Sequence, residues 1–121
     1  MKLTLLACLA GLALLSPVVA SAQTEPHTIV HVITVKWKDG TTPAQIDAAL
    51  KGAMELPAKY PGVLHTWTKT LKAQGGKANA IVMEFADAAA FQAYTDSPAQ
   101  KDWYKVYLPI RGESTTFDIT N

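Results

Sequence analysis

The sequence reads as one α+β domain built on a single antiparallel sheet, and three observations lead there. A long β-branched run from His27 to Gly40 ends in the turn Lys38-Asp39-Gly40, and Ile29, His31, Ile33, Val35 and Trp37 fall on one face of it at period two. Three further strand-like runs follow, at Val63–Leu71, Ala80–Phe85 and Thr115–Thr120. Between them lie helix-period segments that open on a capping residue, Thr42 before Pro43 and Asp87 before Ala88.

In the first strand, Val30, Val32, Thr34 and Lys36 face away from the His31 set, and both faces are apolar up to Thr34. Such a strand is central or covered on both sides. Thr42 and Gln45 have the spacing of a capping box, and Ile46, Ala49, Leu50 and Ala53 form the buried stripe of the first helix. Pro57 and Pro61-Gly62 are expected to end it. The period-two reading of the second strand puts Val63, His65, Trp67, Lys69 and Leu71 on one face. Gln74 to Lys77 is a glycine-bearing connection to the third strand, where Ile81, Met83 and Phe85 oppose Ala80, Val82 and Glu84. The second helical region carries Ala88, Phe91 and Tyr94, restarts at Ser97-Pro98 and stops at Pro109. The order β-α-β-β-α-β is the split βαβ, ferredoxin-like topology, an antiparallel sheet with two helices on one face. The opposite face, with Val30 and Val32, calls for a second sheet, and a homodimer with sheet packed on sheet supplies it.

Residues 1–22 read as a secretory signal: Lys2, an apolar run from Leu3 to Leu15, and small residues at Ala20 and Ala22 ahead of the cut. The run is too short for a membrane anchor and Ser16-Pro17 interrupts it, so no stable membrane insertion is expected after cleavage. The mature chain, residues 23–121, is then one domain exported to the periplasm or the extracellular space. Of 11 Lys and Arg, only Lys2 leaves with the signal, which brings 10 basic residues against 10 acidic ones. That neutral balance gives no electrostatic basis for binding nucleic acid. Cys8, the only cysteine, leaves too, so the mature protein has no disulfide, thiolate nucleophile or thiolate metal site.

Three segments resemble the stress-responsive A/B barrel domain family: HVITVKWKDGTTPAQI, LPAKYPGVLHTW and IVMEFADAAAFQAYTDSPAQKDWYKVYLPI. Together they cover nearly all of Val30 to Ile119. The resemblance implies a tight homodimer, a dimeric α+β barrel whose sheets close together. The best understood member of that fold is a plant polyketide cyclase, which uses a first-strand histidine, a tyrosine ahead of the second helical segment and a histidine within an HPAH motif. By that resemblance the first two fall on His31 and Tyr94, and the HPAH histidines on Ser97 and Gln100 of SPAQ. Gln100 hydrogen-bonds but does not titrate near neutral pH, so the cyclase's general base has no counterpart.

His31 is thus the first candidate for a proton-handling or ligand-orienting residue, against the plainer role of a hydrogen-bonded core histidine. Tyr94 is its candidate partner, orienting a carbonyl or phenol, or else filling the core beside Phe91. Trp67, Trp103, Tyr104 and Tyr107 are candidate lining residues for an apolar pocket, with packing as their alternative, and Gln100 is a further candidate, with a solvated helix position as its alternative. His65 joins them if its strand lies near the first. No metal site is expected, since His31 and His65 lack a third ligand at any recognisable spacing, and no cofactor motif is present. Three functions remain open: an exported homodimer holding a small apolar or aromatic molecule near His31 and Tyr94, a cyclase-like or isomerase-like enzyme with His31 as base, and a structural or protective oligomer.

Overall fold

The computed structural model describes residues 27–120. The signal reading therefore lies outside the described residues. The element order is β1 (Ile29–Trp37), α1 (Pro43–Met54), α2 (Leu56–Lys59), β2 (Val63–Trp67), β3 (Asn79–Phe85), α3 (Ala88–Tyr94), α4 (Pro98–Tyr107) and β4 (Arg111–Thr120). Among the described residues no helix is long and apolar enough to cross a membrane.

The sheet runs β2-β3-β1-β4, with β1 antiparallel to both β3 and β4. This is the ferredoxin-like order. It is not a closed barrel, and the expectation of one is corrected: β2 and β4 are free edges with β3 and β1 between them. Four strands are too few to curl back on themselves around filled side chains, which takes about eight.

Local chemistry sets the helix starts. The Thr42 hydroxyl accepts from the Gln45 amide at 3.3 Å while the Gln45 side chain accepts from the Thr42 amide at 2.9 Å. Asp87 caps α3 by accepting from Ala90 N at 2.7 Å, and Ser97 caps α4 by accepting from Gln100 N at 3.2 Å. Such caps contribute about 1 kcal/mol each. Pro57 does not end the first helical region; it sits in the first turn of α2, where its missing N–H costs nothing. The second strand stops at Trp67, four residues early, and β4 starts at Arg111, four residues ahead of Thr115.

The core lies between the helices and one sheet face. Ile33, Val35 and Trp37 of β1, Ile81, Met83 and Phe85 of β3, and Val63 of β2 meet Ala49 and Ala53 of α1, Leu56 of α2, Tyr94 of α3 and Trp103 and Tyr107 of α4. Trp103 lies flat on Tyr107 at 4.5 Å and donates to Ala49 O at 2.9 Å, tying α4 to α1. A Cβ on Gly52 would come within 3.0 Å of the Trp103 ring, so this crossing needs the bare backbone.

The opposite sheet face is open and apolar. Cross-strand register sets Trp67, Val82, Val32 and Phe117 in one row across all four strands, with Glu84, Val30 and Ile119 in the next. Trp67, Phe117 and Ile119 are each more than half exposed. One expectation is corrected here. A register shift between Val63 and His65 breaks period two, so Val63 and Thr66 point into the core while His65 and Trp67 turn to the open face. His65 and Trp67 therefore do not share a site with His31 within one chain.

Candidate functional site

His31 lies where the expected face put it, on the helix side of the central strand, opposite Met83 on β3 and Asp118 on β4. Its Nδ1 is 2.5 Å from an Asp118 carboxylate oxygen. The imidazole meets Phe85 edge-on at 6.3 Å and Phe91 at 5.5 Å. The His31 side chain keeps 18% of its surface exposed and Asp118 keeps 46%, so the pair sits at the rim of the core, within reach of solvent.

Tyr94 lies deeper. Its ring is 5.1 Å from Phe85 and 5.5 Å from Tyr60, so Phe85 is a ring neighbour of both His31 and Tyr94. Tyr60 is itself held by its hydroxyl, which donates to Ala90 O at 2.7 Å. The turn beneath it needs Gly62: a Cβ there would stand 2.5 Å from the Tyr60 ring and 2.9 Å from Ala90. The Tyr94 hydroxyl is buried and, among the described residues, has no hydrogen-bond partner. Leaving such a group unpaired costs about 1–3 kcal/mol. Burial, with Tyr104 adding to it, pushes the Tyr94 phenol far above its ordinary range, so it stays a neutral donor.

Gln100 is buried at the start of α4 with both ends of its amide engaged. Its oxygen accepts from Asp96 N at 2.8 Å and its nitrogen donates to the Tyr104 hydroxyl at 3.2 Å. Asp96 has φ of 64°, and Gln100 holds that left-handed turn between α3 and α4. Trp103 stacks on Tyr107, Tyr104 tilts against Trp103, and Trp37 meets Tyr107 edge-on. Trp103 borders a surface groove of about 270 Å³ between α1 and α4 that also includes Gly52, Leu56 and Val106. Neither that groove, nor the hollow under the β2–β3 connection, nor the smaller one beside Pro109 is lined by His31 or Tyr94, whose surroundings are filled by rings. His65, on the open face, pairs with Glu84 at 2.8 Å, and with Thr28 it holds the Glu84 carboxyl below its usual range against the effect of burial. Among the described residues no three His, Cys, Asp or Glu side chains converge as a metal would require.

Sequence reasoning missed Asp118. It sits in TTFDIT as a lone acidic residue between apolar ones, and an inward charge on an edge strand was the only available signal.

The sequence from residue 29 to 121 matches the model of the Stress responsive A/B Barrel Domain family. The chain belongs to that family. No curated protein matches the sequence. Among solved structures, the family domain is similar to a dimeric ferredoxin-like protein of unknown function from Thermobifida fusca, at 21% identity and a TM-score of 0.68, covering 80% of this chain and 93% of that one. It is similar also to the hydroxynitrile lyase from Passiflora edulis, at 18% identity and a TM-score of 0.71, covering 79% of this chain and 94% of that one. A Dabb family protein from Mesorhizobium loti gives 21% identity and a TM-score of 0.64, covering 77% and 95%. At these identities the likenesses concern the fold of the family.

The tyrosines make a pH prediction. Burial raises the phenols of Tyr94, Tyr104 and Tyr107, with Arg111 pulling the last two partway back. The folded state keeps protons that the unfolded chain sheds above about pH 10, so stability is full below that pH and falls as pH climbs past it. Phenolate absorbance against pH is expected to show these three ionising together with unfolding. Independent ionisation of Tyr94, Tyr104 and Tyr107 near the ordinary tyrosine value, with the fold intact, would contradict it.

Proposed function

We propose that the protein is an exported homodimer that binds a small apolar or aromatic molecule carrying a polar oxygen, between the helices and the sheet at His31 and Tyr94. The observation that carries this reading is the buried Tyr94 hydroxyl without a partner. A neutral donor kept dry and unpaired amid the rings of Phe85 and Tyr60 is costly unless something supplies an acceptor. His31 gives a second polar contact on the same aromatic wall, at its solvent-reachable end. Phe91 packs on His31 and Tyr60 on Tyr94, so a ligand reaching both polar groups has to displace ring contacts.

The dimer half of the proposal rests on the open sheet face. Trp67, Phe117 and Ile119 stand exposed in contiguous rows, and apolar patches of that kind mark association surfaces. A second copy packed sheet on sheet covers both rows at once. The Thermobifida fusca structure is described as dimeric, which supports the reading. Export rests on residues 1–22, whose charge, apolar run and small residues have the order of a cleavable signal.

A second reading, proton-shifting catalysis on a carbonyl compound, is favoured by one specific observation, the His31–Asp118 pair. His31 would act as base and Tyr94 as the donor that stabilises charge on oxygen. The hydroxynitrile lyase among the similar structures is compatible with it, at the level of fold.

Two measurements test these proposals. In titration calorimetry with acetophenones and phenols, Tyr94→Phe is expected to weaken binding about three- to tenfold, the worth of one neutral hydrogen bond, while melting no lower than the unaltered protein. His31→Ala weakens it likewise. Binding that is indifferent to both substitutions, or absent for the whole set, would sink the ligand reading. Native mass spectrometry of the protein recovered from the periplasm or medium is expected to give a dimer of chains beginning at Gln23, and a monomer for Phe117→Asp. A monomeric unaltered protein, or one retaining residues 1–22, would refute the corresponding half.

A further inference from the structure

We propose that Asp118 is the positioning residue of His31, locking the neutral ring with its proton on Nδ1 and its lone pair on Nε2, so that the site accepts a hydrogen bond from a ligand hydroxyl. The use of that lone pair rests on the ligand reading above; the tautomer itself does not.

His31 Nδ1 and an Asp118 carboxylate oxygen stand 2.5 Å apart, and two bare acceptors at that distance repel. A proton lies between them, and since a carboxylate only accepts, the ring nitrogen carries it. In the neutral imidazole the other nitrogen is then bare. Free histidine side chains in water favour the opposite arrangement, with the proton on Nε2, so the carboxylate reverses the intrinsic preference.

The backbone makes this contact hard to lose. His31 and Asp118 are register partners in the β1–β4 ladder, so their side chains leave the same face of adjacent strands. The ring is held on its other sides by Phe85 at 6.3 Å and Phe91 at 5.5 Å, which limits rotation away from the carboxylate. Among the described residues His31 has its ion-pair contact with Asp118, while the His65–Glu84 pair lies on the opposite sheet face.

A consequence follows for the ligand. Tyr94 supplies a donor and His31 supplies an acceptor, both in contact with Phe85. The site is matched to an aromatic molecule carrying both a hydroxyl and a carbonyl oxygen, and mismatched to one with acceptors alone.

The test reads the tautomer directly, by nitrogen-15 correlation spectra of the histidine side chains at a pH well above the unperturbed histidine range. The unaltered protein is expected to show a protonated Nδ1 and a bare Nε2 for His31. Asp118→Ala shifts the ring to the Nε2-protonated form, and Asp118→Asn, whose carbonyl still accepts, retains part of the original state. A merely structural carboxylate would leave the tautomer unmoved. The proposal is overturned if His31 of the unaltered protein carries its proton on Nε2, or if folded Asp118→Ala keeps it on Nδ1. Should Asp118→Ala not fold, the unaltered spectrum alone decides. In a second arm, 4-hydroxyacetophenone is expected to bind about three- to tenfold tighter than 4-methoxyacetophenone, to lose that margin in Asp118→Ala and to keep part of it in Asp118→Asn. Equal binding of the two probes overturns the acceptor role. Binding of neither overturns the ligand reading of the previous section, and the spectra then judge Asp118 separately.

Discussion

β1 is hydrogen-bonded along both of its edges, and that double ladder fixes the rest of the molecule in relation to it. Pairing with β3 aligns Ile33 with Ile81 and His31 with Met83, which builds the sheet's contribution to the core. Pairing with β4 brings Asp118 beside His31, 87 residues away in the chain. A slip of one residue on either side would turn every core residue of the slipped strand outward. The aromatic residues of α3 and α4 then close over a face whose composition the ladder has already decided.

The two faces of that sheet serve different ends. On the helix side the apolar set is filled to the point that, among the described residues, the hydroxyls of Tyr94 and Thr66 are buried without partners. Each such group is a cost that a purely structural core would shed by a change to Phe or Val. On the open side the chain leaves Trp67, Phe117 and Ile119 in water, a cost of the other kind. Stable monomers avoid both. The proposed dimer and ligand each relieve one of them, which is why the two halves of the functional reading belong together.

What was legible in the sequence was local. The Thr42–Gln45 box, the Asp87 cap and the Ser97-Pro98 restart depend on residues three or four apart, and all three occur as read. The helix-side placement of His31 follows from period two within a single regular strand. Features that depend on distant pairing were hidden. The irregularity after Val63 sends His65 and Trp67 to the other face, and nothing in VLHTW marks it. Asp118 became a partner of His31 only through the β4 register. Gln100, read as a lining residue, spends its amide on Asp96 and Tyr104, a tertiary detail set by the left-handed turn at Asp96.

The central claim is that His31 and Tyr94 form one ligand site on the wall around Phe85. A crystal structure of the protein soaked with 4-hydroxyacetophenone tests it most directly. The account predicts the aromatic ring packed against Phe85 and Phe91, with the carbonyl oxygen within hydrogen-bond reach of the Tyr94 hydroxyl and the ligand hydroxyl facing His31 Nε2. A ligand seated instead in the groove between α1 and α4, with the aromatic cluster undisturbed and the Tyr94 hydroxyl still unpaired, would contradict it.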